Sequence, residues 1–212
     1  MKIESYLTSI TMEHLALNMN VDHTDSGYLA MYIGPMYSGK TSALRELHKQ
    51  HTFCGISTSV INFAEDTRYT TDDVMCTHNK EQVPCTMSNS LFQDASPESD
   101  LFRSTQVFLI NEGQFFPDVV EWTKMAVSRP FNKSVYICGL DGDFERRTFG
   151  NWLDLIPYSD TVEKLTSMCC DCKRAKAIFS FRLTNEKQQK VIGSESYIPL
   201  CRGCYEERLT NK

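Results

Sequence analysis

The segment from Gly34 to Thr41 has the residue spacing of a phosphate-binding loop. Its sequence is GPMYSGKT, in which two glycines bracket four residues and Lys40 and Thr41 follow. Successive backbone N–H groups of such a turn point inward and bind phosphate oxygens, and the next helix adds the positive end of its dipole. We expect Lys40 to reach the terminal phosphates and the Thr41 hydroxyl to bind Mg²⁺. The motif predicts a nucleoside triphosphate site made of Gly34, Pro35, Met36, Tyr37, Ser38, Gly39, Lys40 and Thr41.

A second set of polar residues follows the apolar segment VFLI. Asn111, Glu112 and Gln114 come after it, and ligands of open α/β sheets bind at the carboxyl ends of strands. A carboxylate near the γ-phosphate can accept the proton of an acceptor hydroxyl, which is a role for Glu112. Its alternative is an ordinary acidic residue before a helix. Asn111 occupies the place where an acidic residue usually helps to hold the metal, but it is neutral.

Two further segments contain residues that could reach a nucleotide. Asp66 and Arg68 follow a predicted strand in AEDTRY, and Arg68 could neutralise charge on the transferring group. The alternative is a solvated surface ion pair. Phe144 and Phe149 in GLDGDFERRTFG could sandwich a flat base, although core packing is the commoner role of a phenylalanine.

The cysteines predict a structural metal site. The chain has nine, of which four form the pairs Cys169-x-x-Cys172 and Cys201-x-x-Cys204. Two such pairs in a chain without a secretory signal can wrap a tetrahedral Zn²⁺ that is closed to substrate. Four unrelated thiols are the alternative, and the adjacent Cys170 lacks the paired spacing. The segment 191–201 between the pairs could be a lid over the site.

The elements that must position these residues alternate between short strands and helices, which predicts a parallel α/β sheet. Strands are predicted at 27–35, 55–64, 105–113 and 133–142, and helices at 39–50 and 116–127, the second with Pro117 in its first turn. A strand before the loop and a helix after it disfavour a chance match of the glycine pattern. The stretch 66–104 is expected to contain loops. After about residue 163 a β-hairpin or short strands are expected between the cysteine pairs.

Composition sets limits on the class of protein. The 212 residues are 41% hydrophobic and 23% charged, with a net charge of −5, which suits one buried domain with a small satellite. The lack of a Lys/Arg block disfavours binding of a nucleic-acid backbone. The sequence offers no apolar run of membrane-spanning length and no secretory signal. We expect an extension at 1–27, a phosphate-loop domain at 28–162 and a metal-binding subdomain at 163–212.

Taken in order, these motifs resemble the type II family of thymidine kinases. The resemblance rests on GPMYSGKT, DTRY, NEGQFFPD, GLDGDFERRTFG and the two cysteine pairs that end in CRGCY, and it covers roughly residues 28 to 206. It implies a P-loop NTPase-like α/β domain and a small zinc-ribbon-like subdomain with a lasso loop. The family transfers the γ-phosphate of ATP, with Mg²⁺, to the 5′-hydroxyl of thymidine. Family members are commonly cytosolic tetramers inhibited by thymidine triphosphate, and they occur in cells and in large DNA viruses.

The resemblance also implies roles for single residues. Glu112 matches the general base of the family, and Asp66, Arg68, Asn111 and Gln114 match residues at the ATP. Tyr197 matches the lasso tyrosine that contacts the nucleoside. The implied nucleoside pocket consists of Met36, Phe115, Leu140, Phe144, Phe149, Val191, Gly193 and Tyr197.

Two departures from the family leave alternatives open. The family commonly has Asp where this chain has Asn111, and a Gly-Gly pair where this chain has Ile192 and Gly193. Asn111 is the one argument for a catalytically weak nucleotide-binding protein of the same fold. A regulatory GTPase would need an N-K-x-D motif, and the run 79–82 lacks its final Asp. A DNA-binding zinc ribbon is disfavoured by the acidic charge.

Overall fold

The computed structural model describes residues 26–64, 74–76, 82–190 and 196–211. Within these residues lie twelve β-strands, five α-helices and two 3₁₀ helices. The strands are Tyr28–Ile33 (β1), Thr58–Phe63 (β2), Val74–Cys76 (β3), Gln82–Pro84 (β4), Thr86–Ser88 (β5), Val107–Ile110 (β6), Ser134–Gly139 (β7), Thr161–Lys164 (β8), Ser167–Met168 (β9), Lys176–Ala177 (β10), Phe179–Arg182 (β11) and Tyr197–Leu200 (β12). The α-helices are Lys40–Phe53 (α1), Leu91–Asp94 (α2), Asp100–Ser104 (α3), Val119–Val127 (α4) and Arg202–Thr210 (α5), and the 3₁₀ helices are Gly113–Phe115 and Trp152–Tyr158.

Six strands form one parallel sheet in the order β5-β2-β6-β7-β1-β8. The predicted α/β architecture is therefore confirmed. The register pairs Ile33 of β1 with Gly139 of β7, and Ile110 of β6 with Ile137 of β7. The carboxyl ends of these three strands consequently lie at one edge of the sheet, where the predicted site residues begin.

The core lies on both faces of the sheet. Alternate residues of β1 belong to two different buried clusters, Leu29 to one and Ala30 to the other, because successive side chains of a strand point to opposite faces. Leu44 and Leu47 of α1 pack into the cluster that contains Ala30. Helix α4 packs into the opposite cluster through Val119, Val120, Trp122 and Ala126. Helices thus cover both faces, as a parallel sheet requires.

The prediction that Pro117 lies in the first turn of a helix is wrong. Helix α4 begins at Val119, and Pro117 lies in the turn before it. Phe116, the residue before the proline, is extended with φ −80° and ψ 120°, which is the conformation that a following proline favours. The Asp118 carboxylate accepts hydrogen bonds from the backbone N–H groups of Leu91 and Phe92.

The stretch 66–104 contains more regular structure than its composition predicted. Strands β3 and β4 form an antiparallel pair, β5 joins the edge of the large sheet, and α2 and α3 follow. Ser99 caps α3 by accepting a hydrogen bond from Phe102 N. Residues 65–73 and 77–81 lie outside the described part of the chain.

The C-terminal part consists of small antiparallel pairs and one helix. Strand β9 pairs with β10, and β11 pairs with β12, before α5 ends the described chain. The predicted hairpin is therefore present. Strand β8 pairs with β1 as the sixth strand of the large sheet, so the expected domain boundary at residue 162 falls inside β8.

Candidate active site

The phosphate loop connects strand β1 to helix α1, which packs on the sheet through Leu44 and Leu47. Gly34 has φ 147°, and a Cβ atom there would lie 2.3 Å from the backbone oxygen of Leu165. Gly39 has φ 87° and directly precedes α1. A side chain at either position would be strained. The strand and the helix that the motif needs on its two sides are both present.

Lys40 is folded across the loop. Its Nζ donates to the backbone oxygen of Pro35 at 2.6 Å and to Ser38 Oγ at 3.4 Å, and the residue is 8% exposed. These acceptors hold the ammonium group close to the backbone amides that a phosphate would contact. Lys40 can therefore bring a positive charge to a bound phosphate through a small side-chain movement.

A hydrogen-bonded chain of neutral groups joins the start of α1 to the ends of three strands. Thr41 Oγ1 donates to Asn111 Oδ1 at 3.4 Å, and Cys138 Sγ donates to the same oxygen at 3.0 Å. Asn111 Nδ2 donates to Asn62 Oδ1 at 2.8 Å. Hydroxyl and amide oxygens are ligands that suit Mg²⁺, which prefers oxygen. These groups fit the metal in type, but they supply no negative charge.

Glu112 is held in a restricted position beside this chain. Its backbone is left-handed, with φ 58° and ψ 44°, and the residue is 8% exposed. Gln114 Nε2 donates to Glu112 Oε2 at 2.6 Å, and Gln114 Oε1 accepts from Leu140 N at 3.1 Å. A left-handed non-glycine residue costs on the order of 1–3 kcal/mol, and such residues cluster at functional sites. The strain and the short hydrogen bond mark Glu112 as a candidate base.

Aromatic side chains form a wall next to Glu112. The centre of the Phe115 ring lies 5.3 Å from that of Phe63 and 5.2 Å from that of Phe149. The rings of Phe115 and Phe149 meet edge to face. Lys190 Nζ lies 4.4 Å from the centre of the Phe63 ring and 4.9 Å from that of Phe115. Met36, in the phosphate loop, donates its N–H to Ser180 Oγ of β11 at 2.9 Å. The loop and the C-terminal hairpin are thereby joined.

Phe144 and Tyr197 meet at a buried arginine, Arg182. Its guanidinium carbon lies 3.7 Å from the centre of the Phe144 ring and 5.0 Å from that of Tyr197. Arg182 also hydrogen-bonds to the Tyr197 hydroxyl. Two residues that lie far apart in the sequence are thus brought together by a third that the sequence did not single out.

The four paired cysteines converge. The sulfur atoms of Cys169, Cys172, Cys201 and Cys204 all lie within 4.8 Å of one another, and those of Cys172 and Cys201 are 3.9 Å apart. A tetrahedral Zn²⁺ with bonds of about 2.3 Å needs sulfur separations of about 3.8 Å. Burial opposes ionisation of Cys169, but backbone N–H groups outweigh it and lower its pKa to about 6. The group could therefore hold a zinc ion, whereas Cys170 is exposed and lies outside it.

Most of the site residues that were predicted from the sequence lie in the described part of the chain. It joins Thr41 to Asn111, Glu112 to Gln114, and Phe115 to Phe149, as given above. Asp66, Arg68, Val191 and Gly193 lie outside the described residues. The site also contains residues that the sequence did not predict: Asn62, Phe63, Cys138, Ser180, Arg182 and Lys190. A polar or aromatic residue at the end of a strand was the available signal for Asn62 and Phe63, and the others carried none.

A parallel sheet in which one strand, here β1, leads through a glycine-rich phosphate loop into a helix defines the class of P-loop proteins. Among the described residues, no helix has the length and apolar character needed to span a membrane. The model of the family described as thymidine kinase matches residues 27–205. This chain belongs to the thymidine kinase family.

Individual relatives come from viruses and from cells. The thymidine kinase of Yaba monkey tumor virus (strain VR587) is 37% identical over 181 residues, which cover 85% of this chain and 95% of the relative. The cytosolic thymidine kinase of Homo sapiens is 34% identical over 187 residues, 88% of this chain and 76% of the relative. Thymidine kinase 1 of Dictyostelium discoideum is 34% identical over 187 residues, which cover 85% of this chain and 78% of the relative.

Proposed function

We propose that this protein is an ATP-dependent thymidine kinase. It transfers the γ-phosphate of ATP to the 5′-hydroxyl of thymidine. Deoxyuridine is a second substrate, because its shape is similar to that of thymidine. The reaction serves pyrimidine salvage for DNA synthesis. The observation that carries this proposal is the buried Glu112, held by Gln114 at the end of β6 in a chain with an intact phosphate loop. A protein that only binds nucleotide does not require a general base at this position.

Phosphoryl transfer requires positioning and charge more than covalent chemistry. The backbone of residues 34–39 binds the phosphates, and Lys40 moves from Pro35 O to a phosphate oxygen. Thr41 and Asn111 would hold Mg²⁺, which neutralises phosphate charge when it is bound. Glu112 accepts the proton of the 5′-hydroxyl as that oxygen attacks. Gln114 keeps the accepting carboxylate in place.

The nucleoside pocket is the aromatic wall together with the residues around Arg182. Phe115 and Phe149 present an edge-to-face pair, which suits contact with a flat base. Leu140, at the end of β7, is fixed through its backbone by Gln114 and by Trp152, whose Nε1 donates to Leu140 O at 3.0 Å. Met36, Phe144 and Tyr197 complete the pocket, and Val191 and Gly193 belong to it by resemblance.

Zinc is proposed as a structural ion, bound by Cys169, Cys172, Cys201 and Cys204. Four thiolates fill a tetrahedral coordination sphere, so no position remains for water or substrate. The ion would join the turn after β9 to the start of α5. The hairpin of β11 and β12, which contacts the phosphate loop through Ser180, is anchored beside it.

The function is tested by phosphoryl transfer from ATP with Mg²⁺ to thymidine, deoxyuridine, deoxycytidine and deoxyguanosine. We expect thymidine, with or without deoxyuridine, to be phosphorylated. The second candidate is a catalytically weak nucleotide-binding protein, and the neutral Thr41–Asn111–Asn62 chain favours it. ATP binding without conversion of any nucleoside would decide for that candidate.

The remaining proposals follow from the family. We place the enzyme in the cytoplasm, since the human relative is named as cytosolic. We also propose a homotetramer and feedback inhibition by thymidine triphosphate. We expect light scattering to give four times the 24.3 kDa chain mass, and thymidine triphosphate to lower the rate.

A further inference from the structure

Arg182 uses every N–H group of its guanidinium. It is 2% exposed and lies at the end of β11. Nε donates to the Tyr197 hydroxyl at 3.1 Å, and Nη2 donates to the same oxygen. Nη1 donates to the backbone oxygens of Glu186, at 2.9 Å, and of Gln188, and Nη2 also donates to that of Gln189 at 3.0 Å. These bonds engage all five N–H donors of an arginine.

The plane of the same guanidinium covers an aromatic face. Its carbon lies 3.7 Å from the centre of the Phe144 ring, which is the distance of direct stacking. The Phe144 backbone is held separately, because its oxygen accepts a hydrogen bond from the Tyr205 hydroxyl. One side chain therefore fixes the Phe144 ring, the Tyr197 hydroxyl and the backbone of the segment 186–189.

A second tie joins this segment to the loop that contains Phe144. Gln189 Nε2 donates to Asp143 Oδ2 at 2.9 Å and to the backbone oxygen of Thr148 at 3.2 Å. The other Asp143 oxygen accepts from the backbone N–H groups of Glu145 and Arg147 at 2.8 and 2.9 Å. The segment after β11 is thus attached to the 143–149 loop at its start, where Arg182 contacts Phe144, and near its end, through Gln189.

We propose that Arg182 is a positioning residue of the nucleoside pocket, which sets the orientation of Phe144 and Tyr197 and holds the 183–190 segment against the 143–149 loop. The proposal rests on the proposed function, because Phe144 and Tyr197 are nucleoside contacts only if the substrate is a nucleoside. It assigns no chemical step to Arg182. The side chain acts through the residues that it holds.

Lysine cannot take over this role. Its ammonium has three donors and no plane, so Arg182→Lys keeps the positive charge but loses the stacking on Phe144 and at least two hydrogen bonds. We expect KM for thymidine to rise about 10-fold or more, while KM for ATP stays within about 2-fold, because misplaced contact residues weaken only the substrate that they touch. The zinc content should not change.

A second measurement does not depend on turnover. Lys187 and Lys190 provide trypsin sites within and at the end of the tied segment, and trypsin cuts backbone that has opened locally. We expect Arg182→Lys to be cut there at least about 5-fold faster than the unaltered chain. Gln189→Ala should give a smaller increase. Tyr197→Phe, which removes the shared acceptor and keeps the ring, should raise the KM for thymidine less than Arg182→Lys does.

Arg202→Lys is the matched control. Arg202 is exposed and stacks on Phe179 at 5.1 Å, so the same exchange there should change neither KM nor trypsin cutting. The inference would be overturned if the unaltered enzyme is active and Arg182→Lys has the same KM for thymidine and the same rate of trypsin cutting. A parallel rise of both KM values with loss of zinc would also overturn it, in favour of a general structural role. An unaltered chain inactive on every nucleoside would overturn the proposed function instead, and the trypsin result would still decide whether Arg182 holds the segment.

Discussion

Gln114 donates a hydrogen bond from Nε2 to Glu112 Oε2 at 2.6 Å, and its Oε1 accepts one from the backbone of Leu140. Gly139 makes this arrangement possible, because a Cβ atom there would lie 2.4 Å from Gln114 Oε1. The side chain therefore spans from the end of β6 to the end of β7. It fixes the carboxylate that we assign as the base relative to the pocket residue Leu140.

Glu112→Gln should bind both substrates and turn over poorly. The amide keeps the shape of the side chain but cannot accept a proton, so we expect kcat to fall about 10²- to 10⁴-fold with little change in either KM. Steady-state kinetics with thymidine and ATP measures this. Glu121→Gln, on the exposed side of α4, is the control and should be fully active. A Glu112→Gln variant with the unaltered rate removes Glu112 as the base.

Lys40→Ala should lose transition-state stabilisation. The Lys40 ammonium is held at Pro35 O and Ser38 Oγ, against the backbone of the loop. Removal of one such preorganised group typically costs about 10²–10³ in kcat. Lys49→Ala, an exposed change on the same helix, serves as the comparison. Normal activity of Lys40→Ala would refute the assignment of the phosphate loop.

Features that are specified by a few neighbouring residues could be predicted from the sequence. The phosphate loop, its strand and its helix are specified within a few residues, and the four strands were predicted because each is a short apolar run between turn residues. Pro117 was misplaced because the extended conformation that a proline favours in the preceding residue, Phe116, delays the start of the helix to Val119. Arg182 could not be predicted, since its role depends on Phe144 and Tyr197, which only the folded chain brings to it.

Asn111→Asp should tighten binding of Mg²⁺ with ATP. Asn111 Oδ1 faces the Thr41 hydroxyl, and Asn62 can turn its amide to donate to the new carboxylate. One added unit charge about 4 Å from the divalent Mg²⁺ is worth about 2 kcal/mol at the dielectric constant of water, which corresponds to about 30-fold in affinity. Calorimetric titration of Mg²⁺ into the protein with ATP measures the change. Asn151→Asp, at an exposed position, is the control, and an unchanged Mg²⁺ dependence would argue against Asn111 near the metal.

Asp143 should make the stability of the protein depend on pH. Burial raises the pKa of Asp143, but hydrogen bonds from Gln189, Arg147 and the Glu145 backbone outweigh it and lower the pKa below its usual value. The unfolded carboxyl binds protons more readily, so the stabilisation is fully present above the unfolded pKa of about 4 and is lost as pH falls through the folded pKa.

Asp143→Asn tests this pH dependence. We expect the free energy of unfolding at pH 7 to fall by about 1–3 kcal/mol, and the difference from the unaltered chain to shrink below about pH 4. Urea unfolding between pH 3.5 and pH 7 measures it. Asp154→Asn, at an exposed residue, provides the comparison. A difference that stays constant with pH would contradict the assignment of the charge as the cause.

Cys201→Ser should release zinc and destabilise the C-terminal part. Serine is a poor zinc ligand, and the remaining three thiolates leave the coordination sphere open. A loss of about 3 kcal/mol corresponds to a melting temperature about 6–12 °C lower for a chain of this size. Zinc content by mass spectrometry and thermal unfolding measure the two effects. Cys170→Ser is the matched control, because that thiol is adjacent to Cys169 in sequence but exposed and outside the cluster. Full zinc content in Cys201→Ser, or equal zinc loss in Cys170→Ser, would contradict the proposed ligand set.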